Sequence, residues 1–179
     1  MKKLLVLFCL ISFATKSNLV QAQNTKKLNF GLGIDYGSEV EEAGLDLRVG
    51  YFLTDQINLV FDMNFFFFND LGRFVKKRYW NEYNFNVHYY FPIRPREKES
   101  IFSPYGLAGL NISSFGIKYD KHPVFGNNET SNSKLGINIG GGADFNISTS
   151  LKPFIEIKYL LIENSDQGEL ALGIKYLFD

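Results

Sequence analysis

Few residues in this chain have the types and spacing that chemistry needs. There are two histidines, His88 and His122, and one cysteine, Cys9. His122 lies in a long polar stretch with Asp120, Ser114 and Ser131, a set in which an imidazole activates a hydroxyl for acyl hydrolysis or transfer. Polar loops collect such residues by chance, and the chain is expected not to be an enzyme. His88 has no partners at ligand spacing, which points to a hydrogen-bonding histidine and not to a metal centre. Gly31-Leu32-Gly33 and Gly140-Gly141-Gly142 open no helix, so they are not nucleotide fingerprints and suit close interior packing instead. No cofactor and no metal is expected. The sequons at Asn111, Asn128 and Asn146 are discounted, two of them falling inside predicted strands. Two charged groups remain. Lys76-Lys77-Arg78, followed by Tyr79-Trp80, forms a basic, aromatic loop edge, the kind of chemistry that contacts phosphate. The other is the set Asp35, Asp46, Arg48, Asp62, Glu82, His88, Asp144, Glu156, Lys158 and Lys175, which the following pattern places together.

After Lys26-Lys27 the hydrophobicity alternates with period two almost to the end. Eight strands are predicted, near 28–37, 44–53, 57–68, 80–91, 101–113, 134–147, 152–161 and 169–178, separated by Gly, Asn, Asp and Ser clusters. There is no helical periodicity and no linker, so residues 23–179 form one domain. Short connections follow strands 2 and 6, and long polar ones follow strands 1, 3 and 5, the longest being Ser114 to Ser133.

One parity of the strands is apolar throughout: Leu28, Phe30, Leu32, Ile34 and Tyr36 in the first, Leu170, Leu172, Ile174, Tyr176 and Phe178 in the last. The other parity is small and polar, rich in Gly and Asn, and carries the ten ionisable residues named above. Volume decides which face is inside. An eight-stranded barrel has an interior just wide enough for side chains to fill, and the apolar set overfills it. The Gly- and Asn-rich set fits. An outward apolar band of that size is tolerable only in lipid, and strands of about ten residues match a tilted membrane span. Tyr51, Phe91, Phe145, Tyr176 and Phe178 fall near one interface, and Tyr36, Phe65, Phe67, Tyr83 and Tyr159 near the other, as aromatic girdles do.

Composition alone misleads here. With 179 residues, 19 Lys+Arg, 19 Asp+Glu and 16% aromatics, the chain reads as a neutral, soluble, β-rich globule. Zero net charge argues against a nucleic-acid partner, and the aromatic load argues against disorder. Residues 1–22, however, read as a signal peptide: Lys2 and Lys3, an apolar stretch from Leu4 to Ala14, and Val20-Gln21-Ala22 before the cleavage point. Cys9 lies within it, preceded by Phe8 where a lipoprotein would need a small residue. The remaining chain has 16 basic and 19 acidic residues.

The segments SPYGLAGLNIS (103–113), LGINIGGGADFNISTSLKPFIEIKYLL (135–161) and LGIKYLF (172–178) resemble small outer-membrane β-barrels of the OmpA/OmpX kind. The resemblance implies an all-β, eight-stranded, antiparallel up-and-down transmembrane barrel in a bacterial outer membrane, with four loops outside the cell. It also implies recognition of a terminal aromatic by the barrel-insertion machinery; here Phe178 is followed by Asp179. The expected role is structural or surface-interacting, and the expected form monomeric. Expected partners are outer-membrane lipid and, through Lys76, Lys77 and Arg78, lipopolysaccharide. Two alternatives stand beside it. One is a narrow channel, cation-preferring because acids outnumber Arg and Lys six to three among the inward residues; the other is a soluble exported ligand-binding barrel.

Overall fold

The computed structural model describes residues 27–68, 75–92, 101–119, 129–163 and 165–178. Residues 1–26 with Cys9, residues 93–100, and Asp120, His122 and Asn128 lie outside them. Eight strands follow in order: β1 (Leu28–Gly37), β2 (Glu42–Phe52), β3 (Ile57–Phe66), β4 (Val75–Tyr90), β5 (Phe102–Tyr119), β6 (Glu129–Phe145), β7 (Leu151–Ile162) and β8 (Gln167–Leu177). Each pairs antiparallel with its sequence neighbours, and β1 pairs with β8 to close the barrel. Closure leaves no sheet edge within the apolar band, so backbone donors and acceptors there are met without water.

Burial alternates with strict period two. β1 reads exposed, buried, exposed, buried over all ten residues, because successive side chains point to opposite faces. Leu32, Ile34, Leu110, Ile137, Ile157 and Leu172 stand out from the barrel wall, while Asn58, Asn64, Asn84, Asn111 and Asn138 are wholly buried inside it. The molecule is polar within and apolar without. At the turn end Tyr51, Tyr89, Phe91, Phe102, Phe145, Tyr176 and Phe178 form an exposed aromatic ring.

Three corrections to the expected strands matter. β4, β5 and β6 are 16, 18 and 17 residues long, against 10 to 12 for the other five. Pairing of β3 with β4 stops at Phe65↔Asn81 and that of β6 with β7 starts at Gly136↔Ile162, whereas β4, β5 and β6 stay paired out to Val75↔Tyr119 and Lys118↔Glu129. A three-stranded sheet therefore rises roughly 20 Å beyond the rim, at about 3.4 Å per residue. The expected long loop Ser114–Ser133 is mostly this sheet: Ser114 pairs with Ser133 and Gly116 with Ser131, so neither serine sits in a loop. Lys76, Lys77 and Arg78 likewise belong to β4, beside a register shift between Val75 and Lys77.

The interior is also less uniformly small than its Asn and Gly content implies. Tyr90, Tyr105, Leu107, Phe154 and Leu160 point inward and are buried. Glycines on neighbouring strands make room for them. A Cβ on Gly173 would meet Leu32 O and the Phe154 ring, the latter at 2.6 Å. Gly173→Ala should therefore destabilise the barrel by about 1–3 kcal/mol through overpacking. A urea titration of the protein in phospholipid vesicles checks this, and an unchanged midpoint would show that the ring and strand shift freely.

Candidate functional site

The inner wall is the feature that chemistry must use. Asp35, Asp46, Arg48, Asp62, Glu82, His88, Asp144, Glu156, Lys158 and Lys175 all face the lumen, none more than 3% exposed. Same-face spacing explains part of the grouping. Asp46 and Arg48 are two apart on β2, as are Glu156 and Lys158 on β7, and residues two apart on a strand share a face. Glycine explains another part. Gly31 lies opposite Arg48 on one side and Lys175 on the other, and Gly140 lies opposite Lys158. A Cβ on Gly31 would strike the Arg48 stem, so each long cation bends across the wall over a residue with no side chain.

At mid-height the Arg48 guanidinium is clamped between Asp46 and Glu156. It donates through Nε to Asp46 Oδ2 at 3.1 Å and through Nη1 to Glu156 Oε2 at 3.1 Å, with a further bond from Nη2 to Asp46. Its plane lies 4.0 Å from the centre of the Phe154 ring. Below it, towards the turns, Lys175 Nζ meets Asp144 Oδ1 at 2.6 Å, and the Tyr90 hydroxyl donates to Asp144 Oδ2 at 2.7 Å. The Tyr105 hydroxyl donates to Glu156 Oε2 at 2.7 Å. The His88 ring stacks on Tyr105 with centroids 4.6 Å apart, and its Nε2 lies 3.8 Å from Glu156 Oε2. Along the wall from β3 to β6 an asparagine ladder links Asn84 and Asn86 to both oxygens of Asp62, and Asn111 and Asn138 to Asn84.

Towards the loops, Lys158 Nζ bridges Asp62 Oδ1 at 3.1 Å and Glu169 Oε2 at 2.9 Å. Gln167 Nε2 donates to Glu82 Oε1 at 2.8 Å and Glu169 Oε1 at 3.0 Å, and Trp80 Nε1 donates to Glu82 Oε1 at 2.6 Å. Asn64 donates to Asp35. Gln167 and Glu169 are lumen residues that the sequence reading does not single out: Gln167 lies before the predicted start of the last strand at 169, and Glu169 falls on its polar parity without being among the ten residues named. The prediction also misses Tyr90 and Tyr105, because it assigns aromatics to the outer face. Their buried hydroxyls are the signal, since a phenol carries its own hydrogen-bond donor into the interior.

Apolar side chains gather at both mouths. Val40, Phe66 and Trp80 form a buried cluster under the loops, with Phe68 and Phe115 packed against it and Trp80 stacked on Phe115 at 4.8 Å. Tyr90, Tyr105 and Leu107, with Phe52, gather at the other end. Beyond them a cavity of about 310 Å³ opens between the turns, lined by Gln56, Tyr90, Ser103, Asp144 and Lys152 among others. Among the described residues no group of three or more His, Cys, Asp or Glu is arranged to hold a metal ion. At the loop-side rim the Arg78 guanidinium covers the Phe68 ring at 4.7 Å. Arg78, Lys118, Ser131, Asn132 and Ser133 are exposed on the projecting sheet.

A closed eight-stranded barrel, salt-bridged within and apolar without, is an integral outer-membrane protein of the small-barrel class. The chain belongs to the outer membrane protein β-barrel domain family, whose model matches residues 6–178. Its fold is shared with solved structures at low identity. These include the N-terminal β-barrel domain of OprF from Pseudomonas aeruginosa (15% identity, 86% of this chain and 98% of that one, TM-score 0.65). A major outer membrane protein of Thermus thermophilus is similar too (12%, 87% and 100%, TM-score 0.66). So is Ail, the attachment invasion locus protein of Yersinia pestis, in complex with the heparin analogue sucrose octasulfate (18%, 86% and 97%, TM-score 0.58). No curated protein sequence matches the chain.

Proposed function

We propose that this barrel is a structural and surface-interacting protein of the outer membrane, exported by residues 1–22 and acting as a monomer through its outer end. The observation that carries the reading is the three-stranded projection. Its β5 and β6 residues are paired where a loop was expected, and it presents Arg78, Lys118, Thr130, Ser131, Asn132 and Ser133 to solvent. A stiff, polar sheet held above a barrel with a buried, paired interior is suited to contact and not to transport. The test replaces residues 114–133 with a tight turn. The shortened protein is expected to fractionate with the outer membrane and to keep heat-modifiable migration on a denaturing gel, while cells lose envelope integrity or surface attachment. Unchanged cells would overturn the reading.

The rim of β4 is proposed as the contact with lipopolysaccharide, through Lys76, Lys77 and Arg78. Guanidinium groups bind phosphate in bidentate fashion, and Arg78 is exposed beside the ring of Phe68. The binding of a sulfated sugar by Ail is a property of that protein, and agrees with an anion-binding rim here. Replacing all three residues by Ala should weaken binding of lipopolysaccharide to the refolded barrel by about tenfold, or about 1.4 kcal/mol. Equal binding would remove the rim from the proposal.

A narrow channel is the second reading. Seven buried carboxyls, including Glu169, face three buried cations, Arg48, Lys158 and Lys175, so any conductance is expected to favour cations. Planar-bilayer recordings distinguish the two: the apolar mouths predict no steady conductance for the native protein. Family membership sets aside the soluble ligand-binding barrel. Insertion is proposed to use the barrel-assembly machinery, with Phe178 as the terminal aromatic; its N–H closes the barrel seam on Leu28 O at 2.8 Å.

A further inference from the structure

The loop-side chamber holds more acceptors than donors. Asp35, Glu82 and Glu169, from β1, β4 and β8, converge under the Val40–Phe66–Trp80 cap, and all three are buried. Gln167 Nε2 donates to both Glu82 Oε1 and Glu169 Oε1, which sets those two carboxyls side by side, and Asn64 donates to Asp35 beside them. Yet Glu82 Oε2 and Asp35 Oδ1 have no donor among the described residues, while Glu169 Oε2 is paired with Lys158 Nζ at 2.9 Å. Ionised carboxylates only accept, so oxygens facing one another in this way leave a donor missing.

Among the described residues nothing nearby supplies that donor. Lys158 of β7 is the one cation in the chamber among the described residues, and it is shared with Asp62 of β3. β2 contributes another acid, Asp46, and β5 contributes only the neutral Asn111 and Ser113. Lys134 of β6 is engaged at the rim, with its Nζ on Glu163 O at 2.5 Å and Ser165 Oγ at 3.2 Å, and 5.6 Å from the centre of the Phe115 ring. Glu39 and Glu41 of the β1–β2 turn are exposed to solvent and Glu42 is half-buried. A metal ion would need converging ligands, and the described residues offer no such group.

We infer that Asp35, Glu82 and Glu169 form a carboxyl–carboxylate site that holds a shared proton beneath the loop-side cap. The proton lies between Glu82 and Glu169, turning a pair of acceptors into a charge-assisted hydrogen bond. It also halves the charge of that pair, which like carboxylates at contact require. The site is joined to the cap through Gln167, whose Nε2 donates to both glutamates while its Oε1 accepts the Val40 N–H at 3.3 Å. Removing the proton sets two carboxylates against each other on either side of Gln167 and loosens the turn that covers the mouth. Acid conditions outside the cell keep the cap closed; alkaline conditions weaken it.

The test uses the full barrel refolded in phosphatidylcholine vesicles, read by infrared spectroscopy for the C=O stretch of a protonated carboxyl. The expected result is such a stretch at neutral pH in the native protein, lost or weakened in Glu82→Gln. If that variant does not fold, Glu169→Gln and Asp35→Asn serve, and the native spectrum decides by itself. Absence of the stretch at neutral pH overturns the proposal, as does its full persistence in every variant that folds. A stretch that appears only after chelator is added shows a metal ion in place of the proton, and also overturns it. Because a folded state that holds the proton binds more protons than the unfolded chain, stability should fall as pH rises from the ordinary carboxylate range to the pH at which the site releases its proton. The temperature of gel-shift unfolding should fall more steeply with pH in the native protein than in Glu82→Gln; equal slopes count against the site.

Discussion

Replacing Arg48 by Gln should lower the stability of the barrel by about 3–5 kcal/mol, the cost of leaving buried charge without its partner. Arg48 is 1% exposed and is the only described cation bonded to Asp46 and Glu156. The two carboxylates cannot reach water, and the flanking groups offer little: the Tyr105 hydroxyl already donates to Glu156, and neither nitrogen of His88 has a hydrogen-bond partner. Urea unfolding in phospholipid vesicles, followed by the fluorescence of the one tryptophan, measures the loss. A drop below about 1 kcal/mol, the range of an exposed pair, would mean that water fills the lumen and screens the charges. Replacing the whole clamp, Arg48→Met with Asp46→Leu and Glu156→Leu, should recover most of the stability, since buried ion pairs can be exchanged for apolar groups of similar volume. That recovery separates the role of pairing from the role of filling space.

The second large effect is on the outer wall. Leu172→Arg should cost about 2–4 kcal/mol, while Leu151→Arg should cost about 0–1 kcal/mol. Both leucines are exposed and both lie on the outward face. Leu172 is the middle residue of β8 and pairs with Ile34 and Ile155, themselves exposed and apolar. Leu151 begins β7 at the turn end, opposite Tyr176 of the aromatic ring. The same substitution therefore samples the centre of the hydrocarbon and its edge. Equal urea midpoints for the two variants would sink the depth argument, and with it the reading of the apolar band as lipid-facing.

The strands of the membrane band are legible because lipid imposes a rule on one parity. From Leu28 to Tyr36 every second residue is large and apolar, and the structure places each of them outside. The projection is illegible for the same reason. Beyond the headgroups both faces of a sheet are wet, so the outward parity no longer needs an apolar side chain. Glu129-Thr-Ser-Asn-Ser-Lys134 carries no alternation and reads as loop, although it pairs along its length with β5. Lys76, Lys77 and Arg78 read as loop through that same loss of pattern.

Inside the barrel the division is sharper. Which side chains face the lumen follows from parity, and the residue types alone show that charge replaces an apolar core. Partnership does not follow. Arg48 and Glu156 are 108 residues apart, and Lys158 and Asp62 are 96 apart. These pairs stand on strands that are not neighbours in the sheet and meet only across the lumen. Ring closure and stagger set those distances, and no local pattern encodes them. The glycines that make room for Arg48 and Lys158 also act through neighbouring strands, at Gly31 and Gly140. The amino-acid order by itself determined the two faces of the strands, and the volume of an eight-stranded interior favoured the barrel with its polar face inside over a soluble one. Only the tertiary structure decided that the interior is a buried, paired network with an acid chamber under the Val40–Phe66–Trp80 cluster, because burial and cross-lumen contact belong to the closed ring and to no strand within it.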